Sequence, residues 1–477
     1  MSEGLRENCG VFGIFGHEDA SALTALGLHA LQHRGQEAVG IVSFDGLQFF
    51  AERKLGLVGD HFSNPNVIAR LSGSSAIGHV RYATTGNTAL RNIQPLFADL
   101  WGGGLACAHN GNLTNSRMLR AELVRAGAIF QSTSDTETIL QLVARDRSPR
   151  MIERLIGALH QIEGAFALVF LTTKKLIGVR DPHGIRPLVL GSLNGAPILT
   201  SETCALDIIG AKFEREIDPG EVVVVTEDGI ESLKPFPPKH PRPCIFERIY
   251  FARPDSIVDG KSIYDYRHAL GRELAQEASV EADVVIPVPD SGVPAAIGYA
   301  ITANLPFELG IIRNHYVGRT FIQPTQKIRE LGVRLKHNIN RSRVNGKRVV
   351  LIDDSIVRGT TSVKLVRMMY EAGAKEVHFC VASPPICHPD FYGIDTPLEE
   401  ELLASQYSLD GMRDFIGADS LTFLSLEGVY RAMGMESRDI NRPQFADHCF
   451  TGDYPTRLVD ESYDRHQDQL SLLTESA

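Results

Sequence analysis

The stretch Lys234-Pro235-Phe236-Pro237-Pro238-Lys239-His240-Pro241-Arg242-Pro243 places five prolines within nine positions. Each proline fixes φ and lacks a backbone donor, so the stretch can join neither a helix interior nor a central strand. It favours extended chain and divides 477 residues into two nearly equal halves. Each half is long enough for a core of its own. The spacing predicts domains over 9–240 and 241–445, with 446–477 as a polar tail, irregular or frayed.

Composition narrows the function classes. The chain carries 43% hydrophobic and 22% charged residues, as ordinary globular proteins do. Its 48 Lys and Arg against 58 Asp and Glu leave −10, a poor balance for coating nucleic acid. No apolar run approaches the roughly 18–20 residues that span a bilayer. The start, from Met1 to Asn8, lacks the apolar core of a signal peptide, so a cytoplasmic protein without membrane partners is expected. Seven cysteines are scattered at 9, 107, 204, 244, 380, 387 and 449, with no Cys-x-x-Cys among them. That pattern suits neither a disulfide framework nor a zinc knuckle. Cys107, between small apolar residues, reads as a core residue of a strand.

The first half alternates β-rich runs with turns: 9–15, 76–80, 105–109, 165–172, 187–190 and 221–226. Helical stretches over 20–32, 115–126, 135–145 and 151–161 lie among them, which suggests sheets sandwiched between helices. The second half repeats strand then helix. Its short apolar runs 284–288 and 349–352 do not alternate, as befits a parallel sheet covered on both faces. Each run ends in a polar loop leading into a helix, over 293–303 and 362–372. Ligands of such sheets bind beyond the carboxyl ends of the strands.

The second of those loops reads Asp353-Asp354-Ser355-Ile356-Val357-Arg358-Gly359-Thr360-Thr361. Paired carboxylates can accept bonds from ribose hydroxyls, and free N–H groups at a helix start favour a phosphate. The string resembles the ribose-5-phosphate motif of the type I phosphoribosyltransferases. That resemblance assigns Asp353, Asp354, Ser355, Arg358, Gly359, Thr360 and Thr361 to phosphoribosylpyrophosphate, with Lys336 beside them. Pro287-Val288-Pro289-Asp290-Ser291-Gly292 resembles the family's pyrophosphate loop. One Mg2+ per subunit is then expected next to Ser291, Asp353 and Asp354. Between the loops, residues 319–347 carry eight basic residues and one acid, a net +7 in 29 residues. Such a run is commonly a solvated face or a nucleic-acid patch. Lying between two phosphate loops, it is expected to close as a cationic lid over a polyanionic substrate.

In the first half, Cys9-Gly10-Val11-Phe12 opens a strand, and four motifs follow: His33-Arg34-Gly35-Gln36, His79-Val80-Arg81-Tyr82-Ala83-Thr84, His109-Asn110-Gly111-Asn112 and Ser134-Asp135-Thr136-Glu137. Singly they have plain structural readings; Asn110-Gly111 suits a hairpin turn and Ser134 with Glu137 a capping box. In this order they resemble the class II glutamine amidotransferases, which are N-terminal-nucleophile hydrolases. The resemblance makes Cys9 the nucleophile, with its own α-amine as base. It makes Asn110 and Gly111 the oxyanion donors. It assigns Arg81 to the glutamine carboxylate and Asp135 to its ammonium, with Arg34, Gly35 and Thr84 around the pocket. A free α-amine requires a cut between Asn8 and Cys9, so 1–8 would be a propeptide.

Both halves in this order resemble the glutamine phosphoribosylpyrophosphate amidotransferase family, from Cys9 to about Asp453. The implied fold is an α+β N-terminal-nucleophile hydrolase domain, an αββα sandwich, followed by an α/β phosphoribosyltransferase domain with a mainly parallel sheet. The implied reaction passes ammonia from glutamine to phosphoribosylpyrophosphate, giving 5-phosphoribosylamine, glutamate and pyrophosphate, the first step of purine synthesis. Purine nucleotides as feedback inhibitors and a homo-oligomer, tetramer or dimer, are further implications. Two other readings are a sugar-phosphate amidotransferase, which the 353–361 motif opposes, and a phosphoribosylpyrophosphate-sensing regulator, for which no DNA-binding segment is found. Some members hold an iron–sulfur cluster on four cysteines. At the corresponding positions this chain has Cys244, Asp390, Pro443 and Ala446, so no cluster is expected. The processing expectation is checked by intact mass. The purified protein should lack Met1 to Asn8, and an unprocessed yet glutamine-active chain would refute it.

Overall fold

The computed structural model describes residues 9–82, 89–314, 337–394, 396 and 398–462. Thr84, Lys336, residues 1–8, residues 463–477 and the 319–336 part of the basic run lie outside them.

In the first half two antiparallel sheets stack face to face, of seven and six strands. Strand Gly10–Phe15 lies inside the first, between Ala196–Thr200 and Ser75–Arg81. The second runs through Val222–Thr226, Leu176–Arg180, Gly164–Thr172 and Gly103–Leu113. Between the sheets lies a fully apolar layer that includes Val11, Ile77, Ala106, Ala108, Val169 and Leu199. Helices Ala20–Ala30 and Cys204–Ile208 cover the outer face of the first sheet. Helices Ser116–Arg125, Asp135–Arg145 and Met151–Leu159 cover the second, where Cys107 is buried. This is the expected αββα sandwich, and it explains why Gly164–Thr172 is buried at every position.

Some local expectations shift. Asn110 and Gly111 lie within strand Gly103–Leu113, paired with Ala167 and Phe166, and form no hairpin turn. Ser134 caps its helix through Thr136, but Glu137 turns back to the backbone N–H groups of Gln131 and Ser132 and makes no capping box. The strand expected at 187–190 begins at Val189, beyond Pro187, and pairs with Ala196–Thr200 across Asn194 and Gly195. Both turn residues have positive φ, the conformation of a tight hairpin.

In the second half, strands Val284–Pro287, Arg348–Asp353, Glu376–Val381 and Ser420–Phe423 form a parallel sheet in that order. Helices Ile263–Glu277 and Val293–Ala303 cover one face. Helices Thr360–Glu371 and Leu409–Ile416 cover the other. The described end of the basic run, from His337, pairs with Ile311–Arg313. The tail is not frayed as far as Ser462. Asp447, His448 and Cys449 are buried, and Asp460 accepts from the N–H groups of Arg117 (2.8 Å) and Met118 (3.1 Å) at the start of a first-half helix.

The halves meet through buried charge. Arg34, 1% exposed, bonds Glu202 of its own half and both oxygens of Glu247 (2.6 and 3.0 Å) of the other. Arg186 bonds Glu247 (3.2 Å) and the carbonyl of Tyr392 (3.0 Å). Burial alone would raise both carboxyls, but the adjoining cations hold Glu247 below and Glu202 well below the ordinary value of 4.5. Acids depressed in the fold contribute stability that is present above about pH 4.5 and lost as pH falls through their native values. The contribution of these two acids is therefore expected to be flat near neutrality and to fall below about pH 4.5. An acid limb unchanged in Arg186→Met, measured by denaturant titration across pH, would contradict this origin.

Candidate active site

Cys9 immediately precedes strand Gly10–Phe15 and is nearly buried, with Sγ 3.6 Å from the carbonyl of Tyr82. Burial pushes its thiol up, while Arg81 and Arg34 pull it down and Asp135 opposes them. Three expected residues therefore act electrostatically on one sulfur. Arg81 ends strand Ser75–Arg81 and donates to the carbonyl of Asn92 at 2.5 Å. Gly35 lies against that strand end; a Cβ there would sit 2.6 Å from the Val80 backbone and 2.7 Å from that of Arg81.

Arg34 reaches both halves. Its Nε donates to the carbonyl of Cys9 at 3.1 Å, and both terminal nitrogens are engaged by Glu202 and Glu247. It clamps the backbone of Cys9 to the joint between the halves.

The second sheet supplies the facing wall. His79 in the first sheet donates from Nε2 to the carbonyl of His109 at 3.1 Å, fixing one sheet end to the other. Burial and the Arg81 charge push His79 down to about 3, so it stays neutral. One residue on, Asn110 is fully buried, and neither its amide nitrogen nor its amide oxygen has a hydrogen-bond partner among the described residues. An unpaired buried amide costs about 1–3 kcal/mol and marks a place prepared for a ligand. Gly111 has φ +138°, and a Cβ there would lie 2.1 Å from the carbonyl of Ala165. Only glycine fits. Asp135 begins its helix, accepts from Leu113 N–H at 3.1 Å and lies 3.6 Å from His109 Nδ1. Burial opposes ionisation, but His109 and these bonds hold Asp135 below its ordinary value. It is a nearly buried negative charge, of a kind suited to an ammonium group.

The two phosphate-type loops of the second half sit side by side, because their strands are parallel neighbours with Pro287 opposite Ile352. Val288 donates to the carbonyl of Ile352 at 2.8 Å, and Ser291 follows in the same loop. Asp353 and Asp354 are buried at the strand end. Burial and the charge of Asp354 push Asp353 well above the usual carboxylate range. Ser355 donates to Asp354 at 2.7 Å. Gly359, at φ +73°, opens helix Thr360–Glu371 without a side-chain cap, and the buried hydroxyl of Thr360 has no partner among the described residues. Thr361 follows in the first turn. Arg358 is turned outward, to Glu401 at 2.6 Å, away from the phosphate end of the loop.

One buried apolar cluster includes Ala165, which lies against Gly111, together with Phe246, Phe251, Tyr392, Ile394 and Val357 of the acid-pair loop. Sequence reasoning missed the residues that join the sites: Glu202, Glu247, Arg186 and Asp390. The only trace was charge inside apolar strings, as in Ile245-Phe246-Glu247-Arg248-Ile249.

Comparison with known proteins decides the family. Residues 79–207 match the glutamine amidotransferase domain and residues 255–385 the phosphoribosyl transferase domain. The chain is 60% identical to the amidophosphoribosyltransferase of Rhizobium etli, over 98% of this chain and 96% of that one. It is 51% identical to the chloroplastic amidophosphoribosyltransferase 2 of Arabidopsis thaliana, over 97% and 82%. The B. subtilis glutamine phosphoribosylpyrophosphate amidotransferase, solved with ADP and GMP, superposes with TM-score 0.89 at 48% identity, covering 94% of this chain and 98% of that one.

The chain belongs to the amidophosphoribosyltransferase family. Amidophosphoribosyltransferases join glutamine amidotransferase and phosphoribosyltransferase domains and open purine synthesis, and this chain carries both domains in that order. Among its described residues no helix is long and apolar enough to cross a membrane.

Two metal groups are associated with such enzymes. The acid pair has the donors for a divalent cation: two buried carboxylates adjoin at the end of strand Arg348–Asp353, and burial together with the charge of Asp354 raises Asp353, a cost that such an ion would relieve. A four-thiolate cluster does not fit. Cys244 and Ala446 form a parallel bridge, Asp390 stands at another ligand position, and the buried thiols of Cys244 and Cys449 are too few. A carboxylate raised by burial and repulsion destabilises the fold, and the penalty is relieved as pH falls through its native value towards the ordinary carboxylate value. Asp353→Asn is therefore expected to stabilise the protein by about 0.5–2 kcal/mol while impairing the site. A lower Tm at pH 7.5 would contradict the repulsion.

Proposed function

We propose that Cys9 hydrolyses glutamine and that the ammonia moves inside the protein to the acid-pair loop, where it aminates phosphoribosylpyrophosphate. The observation that carries this reading is the continuous apolar cluster between Ala165, at the oxyanion strand, and Val357, in the phosphate loop.

After the cut behind Asn8, the new α-amine of Cys9 takes the thiol proton and the sulfur attacks the amide carbon of glutamine. The carbonyl oxygen becomes an oxyanion, facing the amide of Asn110 and the backbone of Gly111. Collapse expels ammonia, and water releases glutamate from the acyl-enzyme. Arg81 holds the glutamine carboxylate and Asp135 its ammonium. At the second site, Asp353 and Asp354 accept the ribose hydroxyls, while Thr360, Thr361 and the free helix start hold the 5′-phosphate. Ammonia attacks C1 and pyrophosphate leaves, giving 5-phosphoribosylamine. Mg2+ held near Ser291 and the acid pair would neutralise charge on the leaving pyrophosphate. Purine nucleotides are proposed as feedback ligands, in keeping with the ADP and GMP bound to the B. subtilis relative. A homo-oligomer is proposed with them.

Cys9→Ala separates the two sites. It should abolish glutamine-dependent product while leaving ammonia-dependent product within about twofold of the parent. Asp354→Asn should do the reverse, losing about 2–5 kcal/mol in phosphoribosylpyrophosphate turnover while keeping a basal glutaminase. Loss of both activities in folded Cys9→Ala would refute the division.

A further inference from the structure

Neither half-reaction uses Asp390, yet few carboxylates in the chain are so fully bonded. It is buried, and one oxygen accepts from the N–H groups of Tyr392 (2.7 Å) and Ile394 (2.8 Å). The other accepts from Nε2 of buried His448 at 2.7 Å, and the Asp390 N–H donates to the Thr396 hydroxyl at 2.6 Å. Arg186 lies 3.8 Å away. Together these bonds curl residues 390–394 into a tight turn.

That turn rests on the oxyanion strand. A Cβ on Gly393, whose φ is +115°, would lie 3.0–3.1 Å from the backbone atoms of Gly111. Asn112 donates to the carbonyl of Phe391 at 2.9 Å, and Arg186 donates to that of Tyr392 at 3.0 Å. Gly111 is thus held between Ala165 on its own sheet and Gly393 of the other half.

We propose that Asp390 is a positioning residue for glutamine hydrolysis: by ordering the 390–394 turn, it fixes the Asn110–Gly111 backbone from outside the amidotransferase half. The proposal rests on the reading of Asn110 and Gly111 as the oxyanion site. Asp390, His448 and Cys449 also bring one potential ligand atom each within 4.8 Å of one another, as a metal centre would. Their bonding argues otherwise. Both Asp390 oxygens already accept hydrogen bonds, and burial keeps the Cys449 thiol protonated. At the place of a cluster ligand, this chain carries a hydrogen-bonded brace.

The test compares glutaminase with ammonia-dependent synthesis in the full-length enzyme. Asp390→Ala should lower glutaminase kcat by about 10–100-fold, less than or equal to loss of one oxyanion donor. KM for glutamine and ammonia-dependent turnover should stay within about threefold. Asp390→Asn keeps an acceptor for Tyr392 and Ile394 and should recover most of the loss. Should Asp390→Ala not fold, Asn112→Ala removes only the bond to Phe391 and should show the same split at about 3–10-fold. Unchanged glutaminase in the folded variants, or equal loss of both activities, would overturn the proposal. So would stoichiometric zinc or iron in the parent that Asp390→Ala releases. Glutaminase surviving in Cys9→Ala would instead remove the underlying reading.

Discussion

Arg34 and Arg186 lie with Glu202 and Glu247 in a joint almost sealed from water, and the backbones of Cys9 and Tyr392 are bonded to it. Bringing such charges out of water costs several kcal/mol each, so the assembly is stable only when complete, and removing one partner costs about 3–5 kcal/mol. The geometry makes the joint functional as well as structural. Arg34 holds the carbonyl of Cys9 with one nitrogen and Glu247 of the other half with the others. Arg186 ties the same Glu247 to the carbonyl of Tyr392. The backbone of the nucleophile and the turn against Gly111 therefore share one carboxylate.

The two candidate sites differ in their electrostatics. At Cys9, charges of both signs act on a thiol that burial holds neutral, and the amide of Asn110 has no partner among the described residues. At Asp353, burial and the neighbouring charge of Asp354 both push the carboxyl up. Between them the cluster from Ala165 to Val357 offers apolar walls. Neutral ammonia passes such walls more readily than ammonium, whose charge would have to be desolvated.

Much of this was legible in the sequence because it was local. The acid pair needs only a strand, a loop and a helix start, all encoded within 349–372, and the parallel sheet follows from unalternating strands. Cys9, Arg81 and Asp135 carried motif signals and do converge. What failed depended on distant partners. The role of Arg34 between the halves was hidden, because nothing nearby in sequence reveals Glu247, 213 residues away. The Asn110-Gly111 pair looked like a turn, but strand Gly164–Thr172 extends the pairing past it. The polar tail looked frayed, because Asp447 and Asp460 have their partners in Arg438 and in the 116–118 helix start. Asn194-Gly195, by contrast, was a hairpin signal in plain view that went unused.

The central claim is that ammonia made at Cys9 reaches C1 without mixing with solvent. The direct measurement supplies glutamine labelled with nitrogen-15 in its amide, alongside a large excess of unlabelled ammonium, and reads the isotope in phosphoribosylamine after trapping. The account predicts product that carries the glutamine label nearly undiluted while phosphoribosylpyrophosphate is bound. Label diluted to the ratio of the bulk ammonia pool would contradict it.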